Sequence, residues 1–75
     1  MIYAKVKYWK SGFYGGAEYT YKTALPLAPN DKVIAPTAKE PRQRAIVTEI
    51  NVPAPSFPCK EITEYDPEQE VLTVD

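Results

Sequence analysis

Hydrophobic and polar residues alternate along the start of the chain, from position 2 to position 9. The residues of one face are Ile2, Ala4, Val6 and Tyr8, and those of the other face are Tyr3, Lys5, Lys7 and Trp9. A period of two residues predicts a β-strand that turns one face to the core and the other to water.

The three glycines of the chain follow this strand and predict a hairpin. Because glycine tolerates positive φ, residues 11–16 are expected to form a loop longer than the minimal two residues, with Phe13 and Tyr14 at its tip. A second strand is predicted over residues 17–23, where aromatic and β-branched side chains suit a pleated surface.

Prolines separate the second strand from the third. Pro26 and Pro29 lack the amide donor that a central strand needs, so no strand is expected between them. A turn at residues 29–31 and a third strand at residues 32–35, ended by Pro36, are therefore predicted.

The fourth strand is predicted over residues 44–52, and its length indicates a strongly bent strand that serves two sheets. The side chains that share one face are those of Ile46, Thr48, Ile50 and Val52. Ile46 and Ile50 are expected to face the core. The proline-rich residues 53–58 are predicted to form a stiff, extended crossing of the polyproline type.

Residues 60–74 are predicted to form a hairpin, because Asp66-Pro67 fits the first two positions of a type I turn. The expected cross-strand pairs are Tyr65 with Glu70, Ile62 with Thr73, and Lys60 with Asp75. No segment shows convincing helical periodicity. Residues 1–75 are therefore expected to form a single all-β domain, a small SH3-like or partly open OB-like barrel with a C-terminal β-hairpin.

The formal net charge of -1 conceals an asymmetry along the chain. Residues 1–22 contain four lysines and one glutamate, whereas residues 51–75 contain one lysine and six acidic residues. A barrel either keeps these segments apart, as a basic and an acidic surface, or places them side by side, where their charges cancel. The sequence leaves both arrangements open.

The side chains offer little for catalysis. Histidine, the usual general base near neutral pH, is absent. On a strand, Lys60 would point away from its neighbour Cys59, which leaves no evident stabiliser for a thiolate. The acidic residues lack the glycine-bearing loop of a calcium site. We therefore expect a protein that is not an enzyme and that uses no metal or cofactor.

The single cysteine and the lack of a recognisable targeting signal indicate the cellular compartment of the protein. Cys59 is the single cysteine, which excludes an internal disulfide framework and fits a reducing environment. No segment resembles a secretory signal, and no apolar run approaches the roughly 20 residues that span a bilayer. The expected location is the cytoplasm.

Basic and aromatic residues are interleaved near the start of the chain and in the loop at residues 39–44. Aromatic rings stack on unpaired bases while lysine and arginine neutralise phosphates, and a small β-barrel is a frequent platform for both. The candidate nucleic-acid-binding or partner-binding residues of this kind are Lys5, Lys7, Trp9, Lys10, Phe13, Tyr14, Arg42 and Arg44. Small barrels also use bulky rings to plug their open ends, so the aromatic members have a structural interpretation as well.

Short motifs within residues 1–52 resemble the N-terminal DNA-binding domain of the primosomal replication-restart helicases. Tyr19-Thr20-Tyr21 is similar to the aromatic-acid-aromatic triplet with which that family captures a DNA end, except that Thr20 stands at the acidic position. Asn30-Asp31 stands in the place of a Gly-Asp turn. The resemblance implies a barrel whose Tyr19, Tyr21 and Arg44 serve a looser nucleic-acid site. Without a helicase region, it implies binding alone.

A longer part of the chain is similar to small stand-alone proteins of phages and prophages. They too place a Tyr-Thr-Tyr-Lys-Thr strand before an Asp-x-Val-x-x-Pro-Thr strand, motifs that occupy residues 19–23 and 31–37 here. The similarity implies a mobile-element origin and a bacterial host. Because such proteins often act by occupying a host protein, it also implies a surface that mimics phosphates. The residues of that alternative acidic surface are Glu64, Asp66, Glu68 and Glu70.

The combined expectation is a non-enzymatic, phage-type binding module that acts on single-stranded nucleic acid or on a nucleic-acid-handling complex. The alternative is a phage inhibitor that binds and blocks a host enzyme or a bacterial immune complex. The sequence leaves the oligomeric state open, because the unpaired groups of an exposed edge strand at residues 71–74 could pair with a second copy and form a homo-oligomer.

Overall fold

A computed structural model describes residues 1–68 as one curled, six-stranded sheet without helices. The strands are β1 (Ile2–Lys10), β2 (Phe13–Thr23), β3 (Lys32–Ala35), β4 (Gln43–Ile50), β5 (Glu61–Ile62) and β6 (Glu64–Tyr65). Their order across the sheet is β5-β2-β1-β4-β3-β6. Neighbouring strands are antiparallel except β2 and β5, which are parallel.

The two ends of the sheet belong to one short segment of the chain. β5 lies at one end and β6 at the other, yet only Thr63 separates them in sequence. The sheet therefore curls until its two ends meet at residues 61–65. This closure makes a small, partly open barrel and confirms the predicted all-β class.

The core fills the inside of this curl. Its buried residues are Ala4, Val6, Tyr21, Leu27, Val33, Ala35, Ala45, Val47 and Ile62. Thr23 is also fully buried, and its hydroxyl donates a hydrogen bond of 2.8 Å to the Ile62 carbonyl. A buried hydroxyl that lacked a partner would cost free energy, so this bond makes Thr23 compatible with the core and ties β2 to the closing segment.

The hairpin between β1 and β2 is tighter than the sequence predicts. Its turn consists of Ser11 and Gly12 alone, both with positive φ (52° and 100°), as a type I′ turn requires. Phe13 and Tyr14 therefore belong to β2, and the prediction that they lie at the tip of a longer loop is wrong. Gly16, with a φ of 84°, lies where the β1–β2 register shifts.

At the start of β4, the face that packs against the core is the opposite of the predicted one. Ala45 and Val47 are fully buried, whereas Ile46 is half-buried on the outer face. The register with β1 then shifts by one residue at Thr48, which brings Ile50 opposite Ala4 and back against the core. The prediction for Ile46 is wrong and that for Ile50 is confirmed. A bulge, not a second sheet, accounts for the irregularity.

The predicted C-terminal hairpin is only partly described. Its first arm is split into β5, which pairs with β2, and β6, which pairs with β3. The Tyr65 hydroxyl donates a hydrogen bond of 3.0 Å to the Pro26 carbonyl. The expected pairings with residues 70–75, and the edge strand at residues 71–74, lie outside the described residues.

The burial pattern of β4 predicts unequal effects for two adjacent substitutions. Val47→Asp should unfold the domain, because an unpaired buried carboxylate costs several kcal/mol against a total stability of about 4–11 kcal/mol. Ile46→Asp should leave a cooperative thermal transition, since its side chain reaches the outer face. Circular dichroism melts of both variants measure the difference. Unfolding by Ile46→Asp with tolerance of Val47→Asp would contradict the assigned faces.

Candidate nucleic-acid interface

The predicted basic and aromatic residues fall on two faces of the β1–β2 hairpin. Side chains alternate along β1, so Lys5, Lys7 and Trp9 lie on the outer face, while Tyr8 and Lys10 follow Ala4 and Val6 on the inner face. Beyond the buried core, this inner face emerges at the open end of the barrel. The structure therefore divides the predicted set into two separate groups.

On the outer face the rings pack against one another. Trp9 and Tyr14 are cross-strand partners whose rings meet edge to face, with centroids 4.8 Å apart and an interplanar angle of 66°. The guanidinium carbon of Arg44 lies 5.5 Å from the centre of the Trp9 ring. These contacts hold the Trp9 and Tyr14 rings against the outer face of the sheet.

The arginines that follow β3 bind the acidic residues near the end of the described chain. Arg44 donates to Asp66 at 2.8 Å and also to Glu68, and Arg42 forms an ion pair with Glu64. Two predicted basic residues, Arg42 and Arg44, thus lie against three members of the predicted acidic surface, and their positive charges offset part of its negative charge. The lysines of residues 1–22 take no part in these ion pairs. Glu70 lies outside the described residues.

Asp66 is the centre of this ion-pair cluster. Its side chain is buried, with the residue only 3% exposed, and it also accepts a 2.9 Å hydrogen bond from the Glu68 amide. Burial raises the pKa of Asp66, but the hydrogen bonds from Glu68 and Arg44 and the nearby positive charge of Arg44 outweigh it, so the pKa lies below its ordinary value. The carboxylate stays ionised and holds the segment after β6 against the barrel.

At the open end of the barrel, two tyrosines form a parallel stack. The rings of Tyr8 and Tyr19 lie 4.5 Å apart with an interplanar angle of 8°. The ammonium of Lys10 lies 5.9 Å from the centre of the Tyr8 ring, within cation–π range. Tyr19 remains 45% exposed. The stack therefore presents an accessible aromatic surface with a positive charge beside it.

Tyr21 lies on the core side of this stack and holds Tyr8 in position. It is buried in the core, and its hydroxyl donates to the Pro36 carbonyl at 2.8 Å. Its only proton is then used, so the hydroxyl of Tyr8 donates to that of Tyr21 across 2.6 Å. Burial raises the pKa of Tyr21, with a further contribution from the Tyr8 hydrogen bond. The predicted binding residue Tyr21 thus fixes the ring of Tyr8, and only 4% of its own surface is exposed.

Two cavities flank the tyrosine stack. The first, of about 340 Å³, adds Phe57, Cys59 and Lys60 to its lining, and the second, of about 350 Å³, adds Lys10 and Lys39. Both are lined by Tyr8, Tyr19, Thr37 and Ala38. We call the two cavities and the stack between them the tyrosine groove.

Lysines and two glutamates give the tyrosine groove its charge. Lys10, Lys39 and Lys60 line it together with Glu18 and Glu40. The Glu18 carboxylate accepts a hydrogen bond from Thr48, and that of Glu40 accepts one from the Arg42 amide at 3.1 Å. These neutral donors orient the carboxylates without cancelling their charge, so the three lysines and two glutamates leave the groove with a small positive balance toward an incoming anion.

Sequence reasoning missed several residues of this groove. The period of two places Tyr8 on the same face of β1 as the core residues, and only its position near the end of that face signals that it reaches the surface. Phe57 and Lys60 lie in or beside the proline-rich crossing, whose sequence predicts only an extended connection. By contrast, Phe13 is 63% exposed but lies outside both cavities, with its ring against Gly15.

Across residues 1–68, no group of three or more cysteine, aspartate or glutamate side chains is placed to hold a metal ion. Within the same range, no helix has the length and apolar character to cross a membrane.

Comparison with known proteins adds no relative: no family model, curated protein or solved structure matches the chain. The resemblance to the restart helicases and to small phage proteins therefore stays a prediction. The geometry of the tyrosine groove is what supports a proposed function.

The Arg44–Asp66 pair predicts a pH-dependent stability. Asp66→Asn should lower the free energy of unfolding at neutral pH by about 1–2 kcal/mol, because it removes a charge-assisted hydrogen bond to a partly exposed arginine. Since the folded-state pKa lies below the ordinary value of 3.8, this contribution is present above that value and is lost as the pH falls through the folded-state pKa.

Urea titrations of the wild type and Asp66→Asn, at neutral pH and at roughly pH 2–3, measure this effect. The difference between the two proteins should shrink at the lower pH. Glu68→Gln is the matched control, because Glu68 is exposed and should contribute well under about 1 kcal/mol. A difference of the same size at both pH values would show that the charge of Asp66 is not what stabilises the contact.

Proposed function

We propose that this protein is a non-enzymatic module that binds single-stranded nucleic acid in the tyrosine groove. The observation that carries the proposal is the exposed Tyr8–Tyr19 stack with the Lys10 ammonium beside it. Every base has a π-face that can stack on such a ring, and lysines beside the ring neutralise the phosphates on either side of the base. A phage-type origin and action in the cytoplasm of a bacterial host belong to the same proposal and rest on the resemblance of residues 19–23 and 31–37.

The groove is a better candidate than the outer face of the hairpin. On the outer face, Trp9 packs against Tyr14, and Arg44 is bound to Asp66 and Glu68. A phosphate would have to displace those carboxylates before it could bind Arg44. In the groove, Tyr19 already presents an exposed ring, and its position is fixed through Tyr8 and Tyr21. Such preorganisation reduces the entropy that binding costs.

A protein partner is the second candidate, and the exposed rings of Phe13 and Phe57 favour it. Aromatic residues of this size often anchor protein interfaces. The partner class would be the host enzyme or immune complex of the inhibitor hypothesis. Pull-down from a bacterial lysate, with and without nuclease, separates the two candidates. Capture of a protein that survives nuclease and is unaffected by Tyr19→Ala would favour this second candidate over the nucleic-acid proposal.

A pair of double variants tests the location of the site. Lys10→Gln with Lys39→Gln should weaken binding of a fluorescein-labelled oligothymidine and reduce the slope of log K against log salt by about 1.4, which is about 0.7 for each phosphate contact on a single strand. Lys5→Gln with Lys7→Gln removes the same charge from the outer face and should change the affinity by less than about twofold. Fluorescence anisotropy over a salt series measures both. If the outer-face pair has the larger effect, the tyrosine groove is not the site.

Tryptophan fluorescence tests the same assignment with a local probe. Because Trp9 lies across the sheet from the groove, saturating oligothymidine should leave its emission unchanged. A tryptophan introduced by Tyr19→Trp, in a Trp9→Phe background, should be quenched on stacking with a base. Quenching of Trp9 and not of the introduced tryptophan would move the site to the outer face.

A further inference from the structure

One ring of the tyrosine stack has a partner on a single side. Tyr8 covers one face of Tyr19, and the Tyr19 side chain nevertheless stays 45% exposed. The cavity of about 340 Å³ that Tyr19 lines is also lined by Phe57, whose side chain is 61% exposed. Two accessible aromatic rings, one from β2 and one from the proline-rich crossing, thus border the same space.

We infer that this cavity binds one unpaired base, clamped between Tyr19 and Phe57. This inference rests on the proposed function and adds that the recognised unit is a single unpaired base. The cavity volume lies at the lower end of the range of about 300–1,000 Å³ that small-ligand pockets occupy, which suits one base and not a stacked helix. Stacking on both faces of the base explains why two large rings are left exposed to water at this place.

The lysines of the tyrosine groove indicate where the phosphates of a bound nucleic acid would lie. Lys60 lines the base cavity, whereas Lys10 and Lys39 line the second cavity, which shares Tyr8 and Tyr19 with the first. A nucleotide whose base enters the first cavity therefore has lysines in both cavities to meet the neighbouring phosphates. A base inside a duplex cannot enter, because its faces are covered by neighbouring base pairs. The site consequently selects single strands over duplexes.

The backbone on both sides of Phe57 has little freedom. Pro55 and Pro58 restrict the backbone on both sides. Two residues further on, the Lys60 carbonyl accepts a 3.1 Å hydrogen bond from the Lys22 amide, which joins the crossing to β2. Since Tyr19 lies on β2 as well, the two rings are carried by connected segments. A clamp whose sides are held in this way loses little entropy when a base enters.

Two exposed phenylalanines provide a matched test. Phe57→Ala should weaken oligothymidine binding about tenfold, because stacking contributes roughly 1–3 kcal/mol for each base. Phe57→Tyr, which keeps an aromatic ring, should retain the affinity within about twofold. Phe13→Ala is the control, since Phe13 has almost the same exposure but lies outside the cavity. Melting curves verify that all three variants fold. Equal affinities for Phe57→Ala and wild type would overturn the clamp.

The single cysteine reports directly on occupancy of the cavity. Cys59 lines it, so an oligothymidine should slow alkylation of this thiol by iodoacetamide. In an oligonucleotide of the minimal binding length, an abasic site at one position should abolish this protection and lower the affinity about tenfold, while abasic sites elsewhere should have smaller effects. A complementary duplex should neither protect Cys59 nor compete.

The outcomes separate the inference from the proposed function. If oligothymidine binds, but Phe57→Ala has no effect and Cys59 reacts at its free rate, the clamp is wrong and the proposed function stands. If the wild type binds no oligonucleotide at low salt, the proposed function is wrong and the clamp falls with it.

Discussion

The architecture depends on one closure, in which residues 61–65 pair with both ends of the sheet. β5 extends the end formed by β2, β6 extends the end formed by β3, and Ile62 is fully buried between them. The bond from the Thr23 hydroxyl to the Ile62 carbonyl joins residues 39 positions apart. Without this closure the sheet would have two open ends and its core would face water. The closure also brings the proline-rich crossing to the mouth of the barrel, where Phe57 lines the same cavity as Tyr19.

The ion pairs of Arg42 and Arg44 determine which charges remain available to a partner. Both arginines are bound to carboxylates of residues 64–68, so neither arginine is presented to a partner as an unpaired cation. Exposed pairs of this kind add little stability, whereas the buried carboxylate of Asp66 needs its partners in order to remain ionised. The lysines at the barrel mouth thus become the relevant cations for an anionic ligand.

A domain of this size has a small free energy of unfolding, which leaves little margin for a deep, strained active site. Two cavities lie at the open end of the barrel, where the stack of Tyr8 and Tyr19 serves two purposes. It closes the end of the core through the hydrogen bonds of Tyr21, and it presents a rigid ring surface to solvent. One aromatic cluster in a small barrel can therefore have both a structural and a binding role. Here Tyr21 packs on the inside and Tyr19 is exposed on the outside.

The sequence by itself determined the strand-rich class, the position of β1 and the bounds of β3, because alternation and prolines act locally. Tertiary structure decided the rest. Ser11 takes positive φ only because a two-residue turn suits the twist of the paired strands. The bulge at Thr48 changes which face of β4 is buried, and no period within the strand reveals a shift in register against its neighbour. The groove likewise joins β1, β2, the loop after β3 and the crossing before β5. These segments meet only because the sheet curls, and local patterns carry no information about which distant segments a curled sheet brings together.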